Sequence, residues 1–292
     1  MTSETKTTLF YTCVNTRFWG FGMIYPLFIL LTNPNSLVEI GVENGMRFKR
    51  KYKPVIEFYE RRFPGRVKFT GVKFERWGLL GKEKIVPNTV RFVTQPTLKA
   101  DYLYIGDADI FITEEITSQH LANIEKYGLD FSNVVRTGKR RLTGLHFIEY
   151  DKMYPLPGLR GLNIKKKNDE EVLYEMMDRK GYKMPPSEAQ FRPAHGLHIS
   201  MYSSAPFEFV EGPDRVIDFP AWFMGINSKH NMGHQNMAVD VDKYFKLRKR
   251  PEFVEFVSGL ARKEDADMRR ILQITDACAY YYKNVILPQQ GA

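Results

Sequence analysis

The chain has 292 residues, of which 43% are hydrophobic and 26% are charged. This composition is that of an ordinary globular protein and excludes a disordered or fibrous one. The net charge of +9 favours an anionic partner, which can be a nucleic acid, an acidic membrane surface or a phosphate-bearing substrate.

The first half of the chain alternates apolar strands with helical segments, which is typical of an α/β sheet. Strands are predicted at residues 8–15, 36–44 and 66–72, and helices at 22–34 and 48–64. A short helix that contains Arg91 then leads into ADYLYIGDADIFIT, residues 100–113, which is the strongest strand signal in the sequence.

The second half is predicted to begin with a helix that ends at Gly128, followed by strands at 133–137 and 141–151. Another helix starts after the capping residue Asn168, and its first turn is acidic. Beyond Glu264, apolar residues recur at steps of three and four, which predicts one long amphipathic helix. We therefore predict an α/β domain over residues 1–240 and a helical C-terminal appendage over 241–292.

The cysteines and the first residues bear on the cellular compartment. Cys13 and Cys278 are far apart and lack metal-ligand spacing, so neither a disulfide framework nor a zinc site is expected. The opening MTSETKTT lacks the features of a secretory signal, and the apolar run from Phe21 to Leu31 is too short to span a bilayer. We predict a cytoplasmic protein.

Two aspartates, Asp107 and Asp109, interrupt the strongest strand signal. In a strand, residues i and i+2 point to the same side, so both carboxylates can face one spot. Ligand sites of open α/β sheets lie beyond the carboxyl ends of strands, and Mg²⁺ or Mn²⁺ takes carboxylates together with substrate phosphates. The pair is predicted to hold a divalent cation and a diphosphate; the alternative is a solvated turn with two incidental acids.

The segment YLYIGDADIFI, Tyr102 to Ile112, resembles the DXD motif of nucleotide-sugar-dependent glycosyltransferases of the GT-A fold. The order of the predicted parts is also similar, over roughly residues 9–240. The resemblance implies a GT-A-like (Rossmann-like) mixed sheet flanked by helices, with Mn²⁺ or Mg²⁺ as cofactor. It further implies a nucleoside-diphosphate sugar, a UDP-sugar in particular, as donor, and a glycan, lipid-linked saccharide or glycoconjugate as acceptor.

The resemblance places the nucleoside at the ends of the first two strands, where Thr12, Asn15 and Glu43 lie. Glu43 is equally well interpreted as a surface acid. Arg91, one helix before the DXD, can reach a phosphate or form a structural ion pair.

The resemblance also implies a third metal ligand from a late histidine, for which His198 is the first choice and His195 the second. His230 and His234 lie in a glycine-rich stretch suited to closing over the donor or to binding its phosphates.

An inverting enzyme needs a carboxylate as general base, and Asp169 is the first candidate and Glu170 the second. Acids at a helix N-terminus also stabilise the helix without any catalytic role. In a retaining enzyme the same acids would contact the donor sugar instead.

Two other functions are consistent with parts of the sequence. A Mg²⁺-dependent phosphatase of the haloacid-dehalogenase type also carries Asp-X-Asp after a strand, but usually near the start of its domain. A basic nucleic-acid or membrane binder would explain the charge but not the acid pair. The basic clusters are short and scattered, so we expect no nucleic acid as partner, while peripheral contact with an anionic membrane is compatible with them.

Overall fold

The computed structural model of the chain describes residues 6–78, 81–136, 139–162, 164, 167–190, 196–199, 241–281 and 283–284. The predictions for His195, His230 and His234 lie outside these residues. The strands in the described part are β1 (Thr8–Val14), β2 (Ser36–Val42), β3 (Val67–Gly71), β4 (Glu75–Gly78), β5 (Gly81–Lys84), β6 (Tyr102–Ile105), β7 (Ile110–Ile112), β8 (Phe131–Ser132), β9 (His146–Glu149) and β10 (Gly196–His198).

The α-helices alternate with these strands in the first half and follow one another at the end of the chain. They are α1 (Trp19–Thr32), α2 (Gly45–Lys51), α3 (Lys53–Arg62), α4 (Val90–Val93), α5 (Thr117–Tyr127), α6 (Tyr150–Met153), α7 (Asp169–Arg179), α8 (Val241–Arg248), α9 (Pro251–Ser258) and α10 (Ala266–Tyr281). Short 3₁₀ turns lie at Thr16–Phe18, Pro87–Thr89, Ser187–Ala189 and Lys263–Asp265.

The central sheet has six strands in the order β3-β2-β1-β6-β9-β8. The first four are parallel, with Thr8 of β1 opposite both Ser36 of β2 and Tyr102 of β6. β9 runs antiparallel to β6, and β8 antiparallel to β9. This mixed sheet flanked by helices confirms the predicted fold class. Because the parallel strands point the same way, their carboxyl ends share one edge, and there the chain continues into Asn15, Glu43 and Asp107.

The continuous strand predicted for residues 100–113 is wrong. β6 ends at Ile105, and β7 leaves the central sheet to pair antiparallel with β10, with Ile110 opposite His198. The break falls at Gly106, where a Cβ atom would lie 2.6 Å from the ring of Tyr104. Only glycine tolerates this close approach, so the chain turns here and carries Asp107 and Asp109 at the strand end.

Other predicted elements differ in their bounds. The helix predicted for residues 48–64 is divided at Tyr52, because Pro54 lies in the first turn of α3 and begins a new helix. The strand predicted for 133–137 is reduced to one bridge between Val135 and Leu142. The helix caps are confirmed: Gly128 ends α5 in the left-handed conformation with φ of 60°, and Asn168 begins α7 with a capping box.

Helix α1 lies at the centre of the larger apolar core. Phe28 stacks on Phe111 of β7 with ring centroids 4.6 Å apart, and it also contacts Tyr244 and Phe253 at 6.1 and 5.4 Å. Helices α8, α9 and α10 pack into the same core as α1. The division of the chain at residue 240 stays a prediction. None of the helices in the described ranges has the length and apolar character needed to cross a bilayer.

Candidate active site

A cavity of about 260 Å³ opens at the carboxyl edge of the central sheet, between the ends of β1 and β6. It is lined by the end of β1, the turn after it, the segment 86–91 and the turn at residues 107–109. Its polar lining consists of Asn15, Arg17, Asn88, Arg91, Asp107 and Asp109. The cavity therefore combines carboxylates, which attract a cation, with guanidinium groups, which attract an anion.

Asp109 faces His198 across the ribbon formed by β7 and β10. Asp109 Oδ2 lies 3.6 Å from His198 Nε2, and the side chains are 15% and 37% exposed. The ribbon fixes this arrangement, because the backbone N–H of Ile199 donates to the carbonyl oxygen of Asp109 at 2.8 Å. A carboxylate and an imidazole thus converge at a solvent-accessible position.

Arg91 joins Asp107 to Asp169. Its Nη1 donates to Asp107 Oδ1, and its Nη2 donates to Asp169 Oδ2 at 3.1 Å. The arginine is only 4% exposed. Burial alone would lower the pKa of Arg91, but the charges of Asp107 and Asp169 outweigh it and raise the pKa above its usual value. The structural ion pair, one of the two alternatives for Arg91, is therefore observed.

Each of the two aspartates that lie one residue apart at this strand end has a neighbouring side chain that bears on its charge. Arg91 compensates the charge of Asp107, and His198 lies beside Asp109. The fold therefore compensates the charge of Asp107, whereas Asp109 has only an imidazole beside it among the described residues. A buried charge needs a partner, and here the chain itself supplies it.

The backbone of Gly144 packs directly on this ion pair. A Cβ atom at residue 144 would lie 2.6 Å from Arg91 Nη2 and 3.2 Å from Asp107 Oδ2. Gly144 was not among the predicted site residues. Its position inside a predicted strand is a signal that could have identified it, because such glycines often mark a close approach of the backbone.

Asp169 and Glu170 occupy the first turn of α7, and neither lines the cavity. Glu170 accepts from Arg136 Nε, at 2.6 Å from its Oε2, so its carboxylate is engaged in an ion pair. Asp169 is bound to Arg91 and through it to Asp107. Of the two candidate bases, Asp169 is thus the one that Arg91 connects to Asp107.

Only one of the three predicted nucleoside contacts lines the cavity. Asn15 does so, and its Oδ1 also accepts from the N–H of Arg17 at 3.1 Å. Glu43 instead accepts from the N–H of Thr16 at 3.0 Å and so stabilises the turn after β1.

The structure does not bring Thr12 to the cavity. Its side chain is fully buried, and it shares a strand face with Phe10 and Val14, both members of the apolar core. A contact between the Thr12 hydroxyl and a nucleoside therefore stays a prediction, since this side chain does not line the cavity.

Arg17 and Asn88 are cavity residues that the sequence analysis missed. Arg17 is exposed in the turn that follows β1, and Asn88 is exposed in the 3₁₀ turn before α4. Neither belongs to a motif. Arg17 could have been expected near the site because it closely follows the carboxyl end of a predicted strand. Asn88 carries no such signal.

The donor set for a metal consists of Asp109 and His198. Carboxylate oxygens suit Mg²⁺, Ca²⁺ and Mn²⁺, whereas an imidazole nitrogen suits transition-metal ions, so this mixed pair favours a transition-metal ion over Ca²⁺ or Mg²⁺. In the part of the chain that the structure describes, no group of three or more His, Cys, Asp or Glu side chains is arranged to hold a metal. Asp109 and His198 can thus supply two of the ligands that a divalent ion needs.

No protein-family model and no curated protein matches the sequence. The fold is similar to that of the glycosyltransferase GlyE of Streptococcus pneumoniae TIGR4, with 12% identity and a TM-score of 0.42, over 60% of this chain and 44% of that one. It is also similar to an active-site mutant of LgtC, with 10% identity and a TM-score of 0.41, over 58% of this chain and 70% of that one.

A third similar structure is that of the galactosyltransferase LgtC in complex with donor and acceptor sugar analogues. The identity is 9% and the TM-score 0.40, over 58% of this chain and 70% of that one. These proteins are glycosyltransferases. Because these TM-scores are below 0.5, the likeness does not indicate the activity of this chain.

Proposed function

We propose that the cavity binds a nucleoside-diphosphate sugar together with a divalent cation, and that the protein transfers the sugar to a hydroxyl acceptor. The observation that carries this proposal is the position of Asp109, 3.6 Å from His198 and at the wall of a cavity that also contains arginine. Side chains that can bind a metal ion thus lie near side chains that can bind an anion, which supports binding of a metal–diphosphate complex.

Asp109 and His198 would hold the cation. When bound, a divalent ion offsets the negative charge that develops on a departing nucleoside diphosphate. Arg17, exposed at the same cavity, would attract phosphate oxygens. Asp107, held by Arg91, fixes the turn that carries Asp109.

The remaining lining suits a nucleoside. Asn15 and Asn88 each offer an amide that both donates and accepts, which matches the edge of a base or the hydroxyls of a ribose. Phe18 adds an aromatic ring to the same lining. We favour a UDP-sugar as the donor, in keeping with the enzymes that the DXD segment resembles.

Asp169 is our proposal for the group that receives the proton of the acceptor hydroxyl, with Glu170 second. Arg91 lines the cavity and pairs with both Asp107 and Asp169, so a single side chain connects Asp169 to the cavity wall. The acceptor class we propose is a glycan, a lipid-linked saccharide or a glycoconjugate.

A thermal-shift panel of UDP, GDP, CMP and dTDP, each with Mn²⁺ or with EDTA, tests the donor site. A ligand at one hundred times its dissociation constant adds about 2.7 kcal/mol to the free energy of unfolding. We expect UDP with Mn²⁺ to raise the melting temperature, and Asp109→Ala to abolish the rise. Asp178→Ala is the matched control, because Asp178 is exposed and pairs only with Arg140 among the described residues.

The proposal fails if UDP with Mn²⁺ has no effect, or if Asp109→Ala and the control respond equally. Hydrolysis of a simple phosphate ester without any sugar nucleotide would favour the phosphatase alternative instead. Release of UDP from a UDP-hexose in the presence of Mn²⁺, lost in Asp109→Ala, is the corresponding activity assay.

A further inference from the structure

Helix α2 presents a basic surface beside the edge of the sheet that carries the cavity. It starts shortly after β2 ends, and it exposes Arg47, Lys49 and Arg50. The sequence of the helix, GMRFKRK, contains no acidic residue. Among the described residues, none forms an ion pair with these three cations, so their charge is available to an external partner.

An apolar side chain stands within this basic surface. Met46 is 91% exposed, compared with 54% for Tyr280 and 51% for Val254, the other exposed large hydrophobic residues in the described part. A flexible thioether surrounded by cations is suited to an interface where one layer is apolar and the next is anionic. We call Met46, Arg47, Lys49 and Arg50 the α2 surface.

A shallow cavity lies within the α2 surface. It has a volume of about 580 Å³, and besides three of these residues it is lined by Asn44, Gly45 and Gly71. Lys73 is exposed two residues beyond Gly71. The cavity thus offers room for a phosphate-bearing headgroup between side chains of positive charge.

The chemistry of the α2 surface favours a bilayer over a nucleic acid. Proteins that bind single-stranded nucleic acids combine basic residues with exposed rings on which bases stack. The aromatic residue of α2, Phe48, is fully buried, and the neighbouring Trp19 is only 5% exposed. The exposed group among the cations is instead Met46, which can enter the boundary between headgroups and acyl chains.

We propose that the α2 surface docks the protein on a membrane rich in anionic lipids. Docking through α2 brings the carboxyl edge of the sheet, and with it the mouth of the cavity, close to the lipid surface. This inference does not depend on sugar transfer, because it concerns charges and an apolar side chain outside the cavity lined by Asp107 and Asp109.

Vesicle flotation tests the docking. Wild-type protein is mixed with phosphatidylcholine vesicles that contain either no or about 30% phosphatidylserine, at about 0.1 M salt. The test variant is Lys49→Glu/Arg50→Glu. The matched control is Lys99→Glu/Lys126→Glu, which lowers the net charge equally but alters exposed residues before β6 and at the end of α5.

We expect wild type and control to float with the anionic vesicles only. Each basic residue removed from such a surface lowers partitioning about five-fold, so the test variant should partition at least about 25-fold less. Met46→Ser should weaken binding without changing its salt dependence, because it removes apolar contact but no charge.

The proposal is overturned if wild type fails to float with anionic vesicles, or if both double variants partition alike. It is also overturned if binding to duplex DNA shows the same loss in Lys49→Glu/Arg50→Glu while vesicle binding is unchanged. No nucleotide or metal is present, so a negative result here leaves the donor-site test untouched.

Discussion

Gly144 lies against Arg91 so closely that a Cβ atom on residue 144 would be 2.6 Å from the guanidinium Nη2. Gly144→Ala should therefore displace Arg91 from Asp107. Overpacking of this kind costs about 1–3 kcal/mol of unfolding free energy. We expect that loss in urea denaturation, together with a weaker thermal shift by UDP and Mn²⁺.

Gly158→Ala is the matched control, because a Cβ atom there meets nothing within 4 Å. Unchanged stability and unchanged nucleotide response in Gly144→Ala would mean that the ion pair is not constrained by this backbone contact.

Two buried histidines make stability depend on pH. Burial, and for His120 also the charge of His146, lowers the pKa of each imidazole to about 3 in the folded protein. The unfolded chain protonates near 6.5, so below that pH it takes up protons that the folded state rejects. Stability is complete above pH 6.5 and falls toward lower pH, by up to about 1.4 kcal/mol per pH unit for each histidine.

Urea unfolding at pH 7, 6 and 5 measures this slope. This range lies above the pKa of the carboxylates, whose contributions are lost only at lower pH. His146→Gln should reduce the slope between pH 6 and 5, since one titrating group is gone. A slope equal to that of wild type would show that His146 titrates alike in both states.

Tyr25 contributes a buried hydroxyl with no hydrogen-bond partner among the described residues. Its burial, together with the nearby charge of Asp107, raises the pKa of the phenol well above its usual value. Tyr25→Phe removes an unsatisfied polar group, so we expect the unfolding free energy to stay equal or rise by up to about 1 kcal/mol.

Urea denaturation of Tyr25→Phe with and without UDP and Mn²⁺ is the measurement. A loss of stability in the ligand-free protein would reveal a partner for the hydroxyl. The comparison variant is Tyr59→Phe, because Tyr59 donates to the carbonyl oxygen of Met23 at 2.6 Å and should lose stability.

Asp169→Asn separates binding from transfer. The amide oxygen can still accept from Arg91, so the ion-pair network and the thermal shift by UDP and Mn²⁺ should be retained in large part. A general base contributes about 10²–10⁴-fold, so we expect the rate of sugar transfer to fall by at least about 10²-fold. Initial rates with a UDP-hexose, compared with Asp178→Asn, provide the check, and full activity would remove Asp169 from this role.

Local sequence signals predicted the frame of the site. The alternation of strands and helices gave the order of β1, β2, β3 and β6, and the acids after β6 were expected at a carboxyl strand end. The caps Gly128 and Asn168 marked helix boundaries by backbone chemistry that involves only near neighbours. Features that depend on residues a few positions apart could thus be predicted from the sequence.

Features that depend on contacts between residues far apart in the chain could not be predicted from the sequence. β1 is buried on both faces, so its apolar pattern does not tell which face Thr12 occupies. The break after Ile105 depends on the ring of Tyr104 and on the pairing of β7 with β10. The partners of Arg91 come from two other elements, and only the folded chain brings them together.

The pairing of β7 with β10 joins parts of the chain that are synthesised at different times. Every strand of the central sheet lies in the chain before β10, so a growing polypeptide can complete that sheet while His198 is still to be synthesised. The imidazole reaches Asp109 only when β10 adds to β7. A chain that stops before residue 196 would lack His198, and it would also lack helices α8, α9 and α10, which complete the core around α1. The Asp109–His198 pair and the closure of that core therefore depend on the same late part of the chain.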